Sequence, residues 1–244
     1  MPVRRNLTWR GLLDGAATIS MIAASTVVLW LIVWLPRPAT TQTPSPQASN
    51  AVASGAIGQV ISLADVAIKG SDDARVGVIE YGDFECRFYQ QFAMDTLPKV
   101  VAAFVETGRI FVGYRHLPLE AIHRQALTAA ELAECGRQQG RFWPIHDALM
   151  PVPRLTGIDF MEVGLAAGLE RHVLADCLNG GATGVVRGDA EAARAFGIRG
   201  TPTFLFGTRA DDLTFRVLRQ ASGALSFEVF SKILDQTIQA AEVE

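Results

Sequence analysis

Cys86 is the one good nucleophile candidate in this sequence, and its local pattern bears on how reactive it is. It follows Val76-Gly77-Val78-Ile79-Glu80-Tyr81-Gly82-Asp83, an apolar β-rich run ending in Gly-Asp, and it precedes helical periodicity that begins with Phe88 and Phe92. The spacing predicts a thiol at a helix N-terminus. Unpaired N–H groups and the positive end of the helix dipole favour an anion there, so this thiol is expected to ionise more easily than a free one. Arg87 adds a cation beside it, while Glu80 and Glu85 oppose the effect. The chemistry this permits is attack of a thiolate on a disulfide sulfur, giving a mixed disulfide. The competing reading is a buried structural cysteine.

The elements that must present this thiol follow from local patterns. Val60 to Ile68 reads as a leading strand, Gly70-Ser71-Asp72-Asp73 as a turn, and Val76 to Tyr81 as the next strand. The helix after Cys86 is expected to reach about Thr107, kinked by Pro98 and ended by Gly108. Ile110 to Tyr114 then reads as a strand parallel to its predecessor through a right-handed crossover. From Glu120 to Phe196 the pattern is helical in pieces, with Asp159 as an N-cap. Gly197-Ile198-Arg199-Gly200-Thr201-Pro202-Thr203-Phe204 follows, then Phe215 to Leu218 as the last strand and Phe227 to Ala240 as the closing helix.

Glu80-Tyr81-Gly82-Asp83-Phe84-Glu85-Cys86 resembles the active-site entry of DsbA-family thiol–disulfide oxidoreductases. Ala133-Glu134-Cys135, Gly140-Arg141-Phe142-Trp143 and His146-Asp147-Ala148-Leu149 look like that family's insertion sequence. The resemblance implies an α/β, thioredoxin-like fold with an inserted helical subdomain at about 120–196. It also implies a cis bond at Thr201-Pro202, in a loop facing the reactive cysteine, and a buried proton-transferring acid at Glu80. The other reading of Glu80 is a surface-facing strand residue paired with a cation. The family places a second cysteine three residues after the first. Here the motif is Cys86-Arg87-Phe88-Tyr89, so the resolving thiol is replaced by Tyr89.

Three cysteines are an odd number, which in an oxidising compartment suggests one disulfide and one free thiol. The resemblance assigns the disulfide to Cys135 and Cys177, away from the active site. The alternative is that one of these two resolves Cys86 after a conformational change. The four histidines, His116, His123, His146 and His172, form no cluster with zinc spacing, and neither a metal nor another cofactor is expected.

The formal net charge of −3, with no block of like charge in the body, gives no reason to expect nucleic acid. Residues 1–14 carry Arg4, Arg5 and Arg10 and are expected to be cytoplasmic. Residues 15–35 contain no charged side chain and approach the roughly 20 residues that a helix needs to cross a bilayer. A single-pass anchor in the inner membrane is therefore expected, with the body in the periplasm or another extracytoplasmic space. A cleaved signal peptide, with Ala51-Val52-Ala53 as its site, is the competing account. Residues 36–58, rich in Pro, Thr, Ser, Gln and Ala, read as a flexible tether to a domain at 59–244.

Two functional expectations follow. The first is a membrane-anchored thiol–disulfide exchange protein that uses Cys86 alone, isomerase- or monothiol-reductase-like. It would act on cysteine-containing envelope proteins or small thiols, with Arg87, Phe88, Tyr89 and the Thr201-Pro202 loop contacting the substrate. The second is a catalytically degenerate module of the same fold that binds or assembles envelope proteins, with Tyr89 as an aromatic contact.

Overall fold

The computed structural model describes residues 55–243. The expected anchor at 15–35 and most of the tether lie outside the described residues. Among the described residues, no helix is long and apolar enough to cross a membrane. Strands β1 (Val60–Ser62), β2 (Ala67–Lys69), β3 (Val76–Gly82), β4 (Ile110–His116), β5 (Thr203–Asp211) and β6 (Thr214–Ser222) form one sheet in the order β1-β6-β5-β3-β4-β2. β3 and β4 are parallel, as the crossover predicts, and the remaining pairs are antiparallel.

The expected strand from Val60 to Ile68 is corrected. The chain makes two three-residue strands at opposite edges, β1 on β6 and β2 on β4. Asp65 turns the chain between them at a φ of 60°. Arg115 donates to the carbonyls of Ser62 and Ala64, which gives those groups a partner outside the sheet. The same arginine pairs with the buried Asp189 carboxylate, whose second oxygen accepts from the His116 N–H at 2.9 Å.

The helix after Cys86 also breaks earlier than Pro98. Helix α1 (Arg87–Asp95) ends before Thr96, and α2 (Leu97–Val100) starts with Pro98 in its first turn, where a missing N–H costs nothing. The Thr96 hydroxyl, buried at this break, donates to the Leu225 carbonyl at 2.9 Å. A wide turn over Val101–Val105 continues α2, and the chain leaves it through Gly108 at a φ of 72°.

Helices α3 (Ala126–Gln138), α4 (Phe142–Leu149), α5 (Phe160–Ala166), α6 (Arg171–Asp176) and α7 (Thr183–Ala195) separate β4 from β5. Asp159 caps α5, its carboxylate accepting from the N–H groups of Met161 and Glu162. A disulfide joins Cys135 in α3 to Cys177 after α6, with Cα atoms 5.9 Å apart. Its sequence separation of 42 residues corresponds to about 4 kcal/mol of chain-entropy stabilisation. Closing helix α8 (Phe227–Val243) sets Phe230 against Phe92 and Phe204, at centroid distances of 5.2 and 5.1 Å.

Strand periodicity divides the core between the two sheet faces. Ile79 and Tyr81 pack with Phe111, Leu205 and Phe215 on one face, whereas Val78 packs with Phe92, Val112, Phe204 and Phe206 on the other. Glu80 shares the face of Val78, which is the face that α1 covers.

Candidate active site

The turn that carries Cys86 is held from several directions. Asp83, fully enclosed, accepts from the Glu85 N–H at 2.8 Å through one carboxylate oxygen and from the Leu119 N–H at 2.8 Å through the other. The second oxygen also lies 2.8 Å from His123 Nδ1. Glu85 accepts from the Gln125 N–H at 2.7 Å, so the two acids tie the turn to the start of the helical insertion. Gln90 closes the far side by donating to the carbonyls of Phe84 and Val152. These links fix the backbone before the thiol is reached.

Cys86 is the N-cap residue of α1, with an extended backbone, and its carbonyl accepts from the Gln90 N–H at 2.9 Å. Its side chain does not cap the helix. The thiol instead donates to the Thr201 carbonyl at 3.3 Å, across 115 residues of sequence. The Thr201-Pro202 bond is cis. The loop named by the resemblance therefore touches the sulfur, and Cys86 is 5% exposed. A reacting disulfide needs the Thr201 contact to part. Arg87 and Phe88 flank the thiol at the surface, the guanidinium 4.7 Å from the ring centroid and Phe88 48% exposed.

Tyr89 requires a correction. The sequence assigns it to the resolving position and to a partner contact, but its side chain is wholly enclosed. One helical turn after Cys86, it points back beneath β3, and its Oη lies 3.2 Å from Glu80 Oε1 and 2.7 Å from His146 Nε2. Tyr114 and Phe142 pack around the same cluster, with ring centroids 4.8 Å apart. Gly82 leaves the room they need, because a Cβ there would sit 2.5 Å from the Tyr114 ring and 2.9 Å from Tyr89 Cζ. Of the two readings of Glu80, the buried acid is the one found.

Burial pushes the Glu80 carboxyl up to about 8, with the Tyr89 hydrogen bond and the charge of Lys69 pulling the other way. Burial pushes the His146 imidazole below its ordinary value, against the pull of Asp147. Asp147 is held below the usual carboxylate range by its 2.8 Å contact with His146 Nδ1. Burial thus favours the protonated form of Glu80 at neutral pH. Sequence reasoning missed its link to His146 and Asp147, for which the signal was a His-Asp pair beside the apolar Phe142-Trp143-Pro144-Ile145 run.

The residues of the site come together as follows. Cys86 meets Thr201 directly, while Glu80 and Tyr89 meet each other in the interior. Arg87 and Phe88 rim the opening, and the Cys135–Cys177 disulfide lies within the helical insertion.

Solved structures of distant proteins share the fold. Wolbachia pipientis alpha-DsbA1 superposes with a TM-score of 0.63 at 21% identity, covering 74% of this chain and 94% of that one. Oxidised BdbD from Bacillus subtilis gives 0.61 at 18% identity, covering 75% and 98%. In sequence, the Na(+)/H(+) antiporter NhaA 3 of Salinispora tropica is 34% identical over 147 residues, which is 58% of this chain. NhaA 1 of Mycolicibacterium gilvum is 33% identical over the same length. The chain spans 22% and 23% of the length of these two curated relatives. The thioredoxin family model matches residues 64–236, from just after β1 into α8, and the chain belongs to the thioredoxin family.

Proposed function

We propose that this protein carries out thiol–disulfide exchange through a single nucleophilic cysteine, on cysteine-containing proteins or small thiols outside the cytoplasm. The observation that carries this reading is the position of Cys86, the free cysteine among the described residues, with its sulfur 3.3 Å from the Thr201 carbonyl of the cis-proline loop. An anchor at 15–35 would hold the domain near the membrane, where envelope substrates pass. Two structural neighbours support the same chemistry and compartment. One is a thiol-disulfide exchange protein, alpha-DsbA2 of Wolbachia pipientis, and another a periplasmic thioredoxin-like protein of Salmonella enterica.

The steps balance without a second cysteine in the protein. The Cys86 proton leaves to a base, for which Glu80 in its ionised form is the candidate, and the thiolate attacks one sulfur of a substrate disulfide. The substrate's other sulfur departs as a thiolate and takes up a proton. A substrate thiol can then attack the mixed disulfide, regenerating Cys86 and leaving a rearranged disulfide with no net oxidation. If two molecules of a small thiol act instead, the first attacks Cys86 Sγ and releases the reduced substrate, and the second attacks the resulting Cys86–small-thiol disulfide, freeing Cys86 and leaving the small thiol as its disulfide. Backbone groups at Thr201 and the exposed Phe88 and Arg87 would hold an extended substrate segment.

A second reading rests on exposure. The thiol is nearly covered while Phe88 beside it is half exposed, which suits a module that binds envelope proteins without turnover. Reactivation of a scrambled-disulfide protein separates the two. Exchange predicts faster recovery with the protein than with buffer thiol alone, and equal rates would overturn it.

Tyr89→Cys should turn this site into a dithiol. Residues three apart share a helix face, so the new thiol lies within reach of Cys86 and forms an intramolecular disulfide under oxidising conditions. Losing the buried phenol costs about 3–5 kcal/mol of stability. Thiol counting and mass spectrometry read the outcome, and two persistently free thiols in the folded variant would contradict the placement.

A further inference from the structure

The polar cluster beneath Cys86 does not end at the buried acid. Glu80 Oε1, Tyr89 Oη, His146 Nε2, His146 Nδ1 and Asp147 Oδ1 form an unbroken series with gaps of 3.2, 2.7 and 2.8 Å across its three contacts. Glu80, Tyr89 and His146 are enclosed, whereas the Asp147 side chain is 64% exposed. Asp147 also lines a groove of about 510 Å³ together with Lys69, Met94, Met150 and Pro151. One end of the series is therefore dry and the other is wet.

We propose that Glu80, Tyr89, His146 and Asp147 form a proton relay that connects the buried acid to solvent in the Lys69–Asp147 groove. Tyr89 completes it from the position where a second cysteine would stand. The inference rests on the reading that Glu80 serves the exchange chemistry of Cys86, and it adds the route by which Glu80 regains or loses its proton.

The hydrogens can be assigned consistently at both ends of the transfer. Protonated Glu80 donates to Tyr89 Oη, the Tyr89 O–H donates to His146 Nε2, and the His146 Nδ1–H donates to the Asp147 carboxylate. When each proton moves one place along, Glu80 becomes a carboxylate that accepts from Tyr89. His146 then carries its hydrogen on Nε2, and Asp147 is a carboxylic acid. Tyrosine and histidine each give one proton and receive one, so the net change is one proton moved from Glu80 to Asp147. Asp147 then releases it to the groove. A phenylalanine or a thiol at position 89 would break the chain.

The shifted acidities run the same way: burial favours the protonated Glu80 and the neutral His146, and the His146 contact favours the ionised Asp147. The charged and titratable groups facing the series are Lys69, whose charge bears on Glu80, His146 and Asp147, and Tyr114, packed against Tyr89 and His146. Neither interrupts the connection.

Infrared spectroscopy tests the relay without relying on turnover. The carboxylic C=O band of Glu80, identified by its loss in Glu80→Gln, is followed after pH is stepped across its midpoint at about 8. Asp147→Asn and Tyr89→Phe should each slow the band's decay by about a hundredfold or more, the low end of what a positioned proton donor or acceptor contributes. Asp147→Glu should restore it. An Asp147 that acts only through its charge would shift the midpoint and leave the rate alone, and that result overturns the relay. Unchanged decay in both slow-predicted variants overturns it as well. If the relay rates respond as expected while scrambled-disulfide reactivation fails, the exchange reading falls and the proton route stands.

Discussion

Cys86→Ser should bring scrambled-disulfide reactivation down to the rate of buffer thiol alone, while stability stays within about 1 kcal/mol of the parent. The serine hydroxyl can donate to the Thr201 carbonyl as the thiol does, so the Thr201 contact and the N-cap backbone persist. What disappears is the nucleophile, since a hydroxyl does not attack a disulfide sulfur under these conditions. Cys135 and Cys177 cannot take over, because they are bonded to each other within the helical insertion. Activity retained by the serine variant would mean that another group does the chemistry. Loss of activity accompanied by unfolding would be seen in a parallel urea titration, and Cys86→Ala, which also removes the hydroxyl, supplies the second comparison.

Glu80→Gln should have the next largest effect, on the dependence of stability on pH. Burial pushes the folded-state carboxyl up to about 8 from its ordinary value of 4.5, because it penalises the charged form. Between these two values the folded chain holds a proton that the unfolded chain has lost. Stability from this group is therefore fully present below about 4.5 and falls as pH rises, until the folded carboxyl itself ionises above about 8. A shift of this size corresponds to a change on the order of 5 kcal/mol. Glutamine keeps the volume and can donate an amide N–H to Tyr89 Oη as the protonated carboxyl does, but it does not titrate. The variant should match the parent near the low end of the window and exceed it at the high end, as read by urea denaturation across the range. Parallel curves for the two proteins would contradict the burial of a neutral Glu80.

The strand-to-helix junction at Cys86 was legible because three local signals agree there: an apolar run, a Gly-Asp stop and the onset of helical spacing. The parallel crossover from β3 to β4 was legible for the same kind of reason. The division of 60–69 between two sheet edges was not, since it depends on a positive φ at Asp65, a residue type that sequence rules do not reserve for that conformation, and on Arg115 from a distant strand. Breaking the helix at Thr96 likewise depends on the distant Leu225 carbonyl. At the site, Cys86 and Glu80 are six positions apart and could be weighed together. Tyr89 and His146 are separated by 57 positions, and only the folded chain brings them into contact. That long-range contact turns Tyr89 from a surface group into an interior one.

The most direct test is mass spectrometry of the native protein after incubation with a disulfide-bonded peptide. A mixed disulfide should form on Cys86 alone, with the Cys135–Cys177 bond intact, and addition of a second thiol should release it. A folded chain in which Cys86 takes up no peptide, even when the peptide is in large excess, would contradict single-thiol exchange at this site.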